Sequence, residues 1–428
     1  MASAAEQLAA NLNFATFSKA TELKQRIWFT LGALIVYRIG TYIPVPGIDA
    51  SKLQAFFTQQ SAGIGGMLNM FTGGAVARMA IFSLGIMPYI SASIIVQLLT
   101  SMVPSLAALK KEGEAGRKKI NQYTRYGTVF LATFQAYGLA IGLESQGLAT
   151  DPGWFFRVSV VITLVGGTMF LMWLGEQITA RGIGNGISLI IFAGIVAELP
   201  AALAGLLDLG RTGAVSTAVI LLIIVVAIAA ITFIVYVERA QRRLLIQYPK
   251  RQVGNKLFEG QSSHLPLKLN SSGVIPPIFA SSLLLVPTTI AQFTAGQGPE
   301  WMQWLTTMLG HGRPAYMALY ALLIIFFAFF YTAIVFNPAE TADNLKKHGG
   351  FIPGIRPGEN TAKYIDYVLT RITVVGAAYL VLVCLLPEFL VAYAGVPFYF
   401  GGTSLLIVVS VTMDTVAQVQ GYLLAHQY

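Results

Sequence analysis

Residues 215–236 read VSTAVILLIIVVAIAAITFIVY, twenty-two positions without a charge. As a helix rising 1.5 Å per residue, such a run reaches about 33 Å, enough to cross a hydrocarbon core of about 30 Å. In lipid the backbone finds no outside partner, so a continuous apolar run of this length is predicted to be helical. The alternation over segments of about ten residues that would mark a membrane β-barrel is missing.

Working outward, similar blocks recur at roughly 25–43, 80–101, 126–144, 155–175, 186–205, 273–292, 315–336, 366–387 and 401–424. Ten spans are therefore expected. Only 11% of the 428 residues are charged and 55% are hydrophobic. A soluble domain carries about 25% charged residues, so this chain has too few to cover a watery surface. Residues 1–26 lack the hydrophobic core and cleavage site of a signal peptide, and read as a surface helix or a solvated tail.

Charge sets the orientation. With the N-terminus inside, 22 of the Lys and Arg residues fall in inner segments and 5 in outer ones, Arg38 lying within the first span. Cytoplasmic loops carry the excess of cations, so both ends are expected in the cytoplasm. Ten spans suggest two halves of five. An odd-numbered repeat must enter the membrane inverted, a layout that builds sites near the midplane.

Three segments are singled out. The inner loops 237–272 and 337–365 are long and basic. Ordinary positive-inside loops would account for the charge but not the length, so they are candidate docking surfaces. Arg356 sits on a tip constrained by the Pro and Gly of FIPGIRPGE (351–359). Between spans 1 and 2, IGGMLNMF (64–71) is apolar, flanked by glycine, and too short to span, reaching only about 13 Å as a helix. It reads as a movable half-helix filling an outward cavity, or as a loop resting on the outer surface.

Chemistry is sparse. The spans are nearly free of ionisable residues: Arg38 is in the first, Glu176 and Glu238 lie at inner ends, and Asp414 is in the last. That argues against a proton relay or ion-coupled pump. Cys384 is alone. His264, His311, His348 and His426 share no ligand spacing, so neither a metal nor another cofactor is expected. GIGNG (182–186) follows a membrane helix rather than a strand and reads as a tight turn, not a nucleotide loop. No catalytic residues are assigned. Ile86 with Ile90, and Ile187 with Ile191, share helix faces at i, i+4. Packing is the ordinary role of such pairs. Lining a pore, they would form a dry constriction that ions do not cross.

GIMPYISASIIVQLLT (85–100), WLGEQITARGIGNGIS (173–188), VIPPIFASSLLL (274–285), FNPAETADNLKK (336–347), FIPGIRPGENTAKYIDYVLTR (351–371) and PFYFGGTSLLIVV (397–409) resemble, in order, segments of the SecY family. The resemblance covers about residues 20–425. It implies an all-α membrane protein: ten transmembrane helices in two inverted halves around an hourglass pore for unfolded polypeptides, and no enzyme. The implied division is 1–24 as a cytoplasmic segment, 25–205 and 206–424 as the halves, and 425–428 as a tail. Family members usually continue past the last helix with a short basic tail.

By the same resemblance the pore ring falls on Ile86, Ile90, Ile187, Ile191, Ile278 and Ile407. The plug is Ile64, Gly65, Gly66, Met67, Leu68, Asn69, Met70, Phe71 and Thr72. The lateral gate between helices 2 and 7 runs through Ser91, Ser93, Gln97, Thr100, Pro276, Ser281 and Ser282. Docking falls to Arg242, Arg243, Lys250, Arg251 and Arg356. Implied partners are SecE and SecG, the SecA ATPase, the ribosome, signal peptides and nascent chains, the lipid bilayer and, further out, SecDF and YidC. The implied location is a Gram-negative inner membrane. Pro277, following Pro276, departs from the small residue expected there.

Overall fold

The computed structural model describes residues 20–60, 69–249, 251–253, 256–258, 260, 262–293, 299–310, 313–394 and 402–425. Its long helices are α1 (Thr21–Gly40), α3 (Met87–Met102), α5 (Glu114–Ser145), α6 (Trp154–Arg181), α7 (Gly186–Arg211), α8 (Thr217–Arg239), α9 (Ile275–Phe293), α11 (Pro314–Val335), α13 (Glu359–Ala394) and α14 (Gly402–Ala425). Each coincides with one of the ten expected spans. Seven are long and apolar enough to cross a membrane, eight if α3 and α4 (Pro104–Lys111), bent by 99° at Val103, count as one span. This is a multi-pass, all-α membrane protein. Of the others, α1 carries Glu22, Lys24, Arg26 and Arg38 within its twenty residues, and α9 is clearly apolar over Ile275–Leu285.

Local chemistry sets the helix starts. Asn185 caps α7 by accepting the Ile187 amide at 3.1 Å, and Ser216 caps α8 by accepting that of Val219 at 3.4 Å. The GIGNG turn is thus a capped helix entry. Pro276 and Pro277 occupy the first turn of α9, where a missing N–H leaves no broken bond. The second span was expected from residue 80, but α3 begins at Met87. Gly85 stands at φ +57° and Pro88 in the first turn offers no amide, so the preceding residues form turns.

Helices α1, α3, α5, α6 and α7 pack on one another, as do α9, α11, α13 and α14, with α8 against α14. Two seams join the sets: α3 and α5 against α9 on one side, and α7 and α1 against α14 on the other. The expected boundary at 205/206 falls inside α7, which continues through Pro200 to Arg211.

The segments between spans hold structure that hydropathy did not signal. Helix α2 (Ala50–Gln60) and the short α10 (Glu300–Met308) lie between spans 1 and 2 and between spans 7 and 8. In the loop after α8, β1 (Gln241–Gln247) and β4 (Ser262–Lys268) form an antiparallel hairpin whose outer part holds β2 (Arg251–Val253) and β3 (Lys256–Phe258). Helix α12 (Pro338–Lys347) follows α11.

Candidate functional site

The six isoleucines that the resemblance assigns to the ring all belong to or pack on one large apolar cluster. Ile86, Ile90, Ile191 and Ile407 are buried in the largest apolar cluster, and Ile187 and Ile278 pack half-buried against it. They arrive from the starts of α3 and α7, one turn into α9, and early in α14. Isoleucine bears neither charge nor donor, so a constriction built of these six side chains would offer ions no substitute for water.

Of the plug, residues 64–68 lie outside the described residues. Residues 69–72 are described, and Met70 and Phe71 join the same cluster as the ring. Their polar groups are held from several sides. Tyr37 donates to the Thr72 carbonyl at 3.2 Å, and Asn69 Oδ1 accepts the Ala77 amide at 2.8 Å. The Gly73 carbonyl accepts from both Arg38 and Arg78, the latter at 2.9 Å. Arg78 also donates to the Thr41 carbonyl at 3.1 Å and stacks 4.1 Å over the Tyr42 ring. Gly73 and Gly74 both take positive φ, +66° and +83°, a conformation that favours glycine. Gly194 of α7 lets this segment approach: a Cβ there would stand 2.8 Å from the Phe71 carbonyl oxygen.

Sequence reasoning had noted Arg38 without a role and had passed over Glu198. Its carboxylate lies over Gly74 beside Arg78: a Cβ at Gly74 would be 2.6 Å from Glu198 Oε1 and 2.8 Å from both terminal guanidinium nitrogens of Arg78. The spans are therefore less free of charge than expected. The signal available in the sequence was the acid itself, standing alone in the apolar run of the fifth span.

The expected gate residues lie on α3 and α9, two helices that pack on each other. Ser91, Ser93 and Gln97 are half-buried; Thr100, Pro276, Ser281 and Ser282 are buried. Thr100 and Ser282 turn back onto their own helices, to the carbonyls of Val96 and Ile278. Gln97 Oε1 is buried without a hydrogen-bond partner among the described residues. Ser281 donates to the Pro277 carbonyl at 2.8 Å and meets the Tyr320 hydroxyl at 3.3 Å; that hydroxyl also pairs with Thr403. Tyr320, unassigned from sequence, thus ties α9 and α11 to the start of α14. A tyrosine inside an apolar span, whose O–H needs a partner when buried, was its signal.

The two basic loops form one platform. Gln247 and Phe351 exchange backbone hydrogen bonds at 2.9 and 3.0 Å, joining the hairpin to the loop before α13. Beneath them Leu244, Leu267, Ile352, Ile365, Val368 and Leu369 make a separate apolar core. Arg242 and Arg243 are exposed on β1. Arg356 is exposed on a tip bracketed by Gly354 and Gly358, both at positive φ, and its carbonyl accepts from Thr361 at 3.0 Å. Arg251 lies in β2, and Lys250 falls outside the described residues. At the hairpin base, buried Asn270 donates to Glu238 at 2.8 Å and to the Gly273 carbonyl at 3.1 Å, and Tyr379 donates to Glu238 at 3.3 Å. The platform is thereby bonded to the residues that open α9.

Comparison with known proteins follows this geometry. The sequence model of the SecY family matches residues 80–416. The Escherichia coli K12 protein translocase subunit SecY is 59% identical over 412 residues, covering 95% of this chain and 93% of its own. Among solved structures, a SecY channel whose plug domain is described as stabilising the closed state and keeping a membrane seal superposes with a TM-score of 0.69 at 19% identity, covering 94% and 93% of the two chains. Sec61 in a canine ribosome–channel complex does so at 0.68 and 18%, with the same coverage. At these identities the structural likeness concerns the fold.

Proposed function

This chain belongs to the SecY family, and from that membership we propose the following reading of its parts. It is a protein-conducting channel subunit of the translocase, and not an enzyme. Unfolded polypeptides pass between the two helix sets, residues 25–211 and 217–425, which enter the membrane as inverted halves with both termini cytoplasmic. The membrane is the bacterial inner membrane. Ile86, Ile90, Ile187, Ile191, Ile278 and Ile407 form the seal at the waist, and residues 64–72 form the plug above it. Aliphatic side chains suit this task because they make no specific bonds, so they yield to any side chain and close again on a dry core. Helices α3 and α9 part to release apolar segments into lipid. Arg242, Arg243, Lys250, Arg251 and Arg356 receive the ribosome and the SecA motor, while SecE and SecG complete the complex. SecDF and YidC are further partners.

The observation that carries this reading is that all six isoleucines, from four helices in both sets, belong to or pack on the apolar cluster that also takes up Met70 and Phe71. A stalled secretory chain with a photocrosslinker near its middle tests it. Adducts are expected at Ile86, Ile191, Ile278 or Ile407. Adducts confined to lipid-facing positions of α3 and α9 would rule out a through-pore.

A further inference from the structure

Helix α10 (Glu300–Met308) carries an apolar arc that the translocation reading leaves unused. At 100° per residue, Met302, Leu305 and Leu309 fall on one edge of that arc and are half-buried or buried. Trp301, Trp304 and Met308 fall on the other, and their exposures are 63%, 61% and 43%. Glu300, Gln303 and Thr307 occupy the opposite side and are exposed. The helix is thus amphipathic twice over. One apolar edge faces the protein, where α10 packs on α9, and the other faces outward.

The position of α10 identifies what covers the outward edge. It lies between two spans, α9 and α11, and only residues 309–313 separate it from α11. It sits at the end of those spans opposite the cationic platform. The start of α6 reaches the same side of the membrane, because α6 and α11 are both even-numbered spans, and it too presents exposed aromatics, Trp154 at 71% and Phe155 at 88%. Tryptophan concentrates at the bilayer surface, where its ring sits among acyl chains and its N–H among headgroups. The helix bears one carboxylate and no cation, so it offers no charge pattern for an acidic or basic protein surface.

We propose that α10 lies along the lipid–water interface of the outer leaflet, with Trp301, Trp304 and Met308 inserted among the headgroups. Interfacial helices of this kind bury their apolar face about 5–10 Å into the headgroup and acyl boundary. The occupant of the exposed edge is therefore phospholipid.

Fluorescence quenching in the full chain tests this. The chain has five tryptophans. Replacing Trp28→Phe, Trp154→Phe and Trp173→Phe leaves only Trp301 and Trp304 and does not touch α10. The protein is reconstituted into phosphatidylcholine–phosphatidylglycerol vesicles carrying nitroxide labels near the headgroup or near the acyl-chain end. The expected result is quenching by the shallow label about twofold stronger than by the deep one, with little quenching by aqueous iodide. Strong iodide quenching without lipid quenching would overturn the proposal. So would stronger quenching by the deep label, or protection from all three, which would mean that protein covers the edge.

Discussion

Replacing Gly194→Ala probes the grip of α7 on the end of the plug. The added methyl would stand 2.8 Å from the Phe71 carbonyl oxygen, 3.0 Å from the Tyr37 hydroxyl and 3.3 Å from the Gly73 amide. The nearest atom is backbone, so residues 71–73 must retreat as a unit. Retreat loses the Tyr37 bond to the Thr72 carbonyl and stretches those from Arg38 and Arg78 to Gly73. A neutral bond contributes about 1 kcal/mol and one to a charged group about 1.5–3 kcal/mol. Losing the first and half of one of the second costs the seated plug about 2 kcal/mol. At tenfold per 1.4 kcal/mol, the unseated fraction rises about 30-fold. Alanine meanwhile favours the helix by about 1 kcal/mol, so α7 itself stays intact. The assay is ion conductance of resting channels in planar bilayers, with Gly205→Ala as control, since nothing lies within 4 Å of a Cβ there. Gly194→Ala channels as tight as the control would refute the seating of the plug by these bonds.

Other perturbations follow from the same geometry. Tyr320→Phe removes the hydroxyl that bridges Ser281 and Thr403 and should destabilise the protein by about 1–2 kcal/mol, read as a lower melting temperature in detergent; an unchanged melting point would deny the bridge its role. Serine at Ile86, Ile90, Ile191 and Ile278 together should wet the waist and raise resting ion leak, and unaltered leak would count against the seal. Arg356→Glu reverses an exposed charge on a braced tip, so motor-driven transport should fall while the amount of chain in the membrane holds; normal transport would remove Arg356 from the docking surface.

The long helices were legible because hydropathy is a local property: each apolar run names its own helix, as 215–236 does for α8. What escaped depends on contacts between distant residues. Strand β1 (QRRLLIQ) has no strong alternation, and its hairpin is held by pairing with β4 and by the bridge from Gln247 to Phe351, some hundred positions away. Tyr320 finds Thr403 83 residues on, and Arg38 finds the Gly73 carbonyl 35 residues on. No window sees such pairs. Glu198 was hidden by its surroundings, a single acid in an apolar run whose placement beside Arg78 only the folded chain reveals. Helix α10 was missed because nine residues cannot signal a span, and its amphipathic pattern is too brief to stand out.

The bonded base of the hairpin has a mechanical consequence. The Leu269 amide donates to the Ala240 carbonyl at 3.0 Å, and Asn270 is fastened to both Glu238 and Gly273 just before α9 begins. The same corner is tied to α13, through the Gln247–Phe351 backbone bonds and the Tyr379 bond to Glu238. The end of α8, the hairpin and the start of α9 therefore share one brace with α13. A load on the hairpin is divided between two spans rather than carried by a single chain connection.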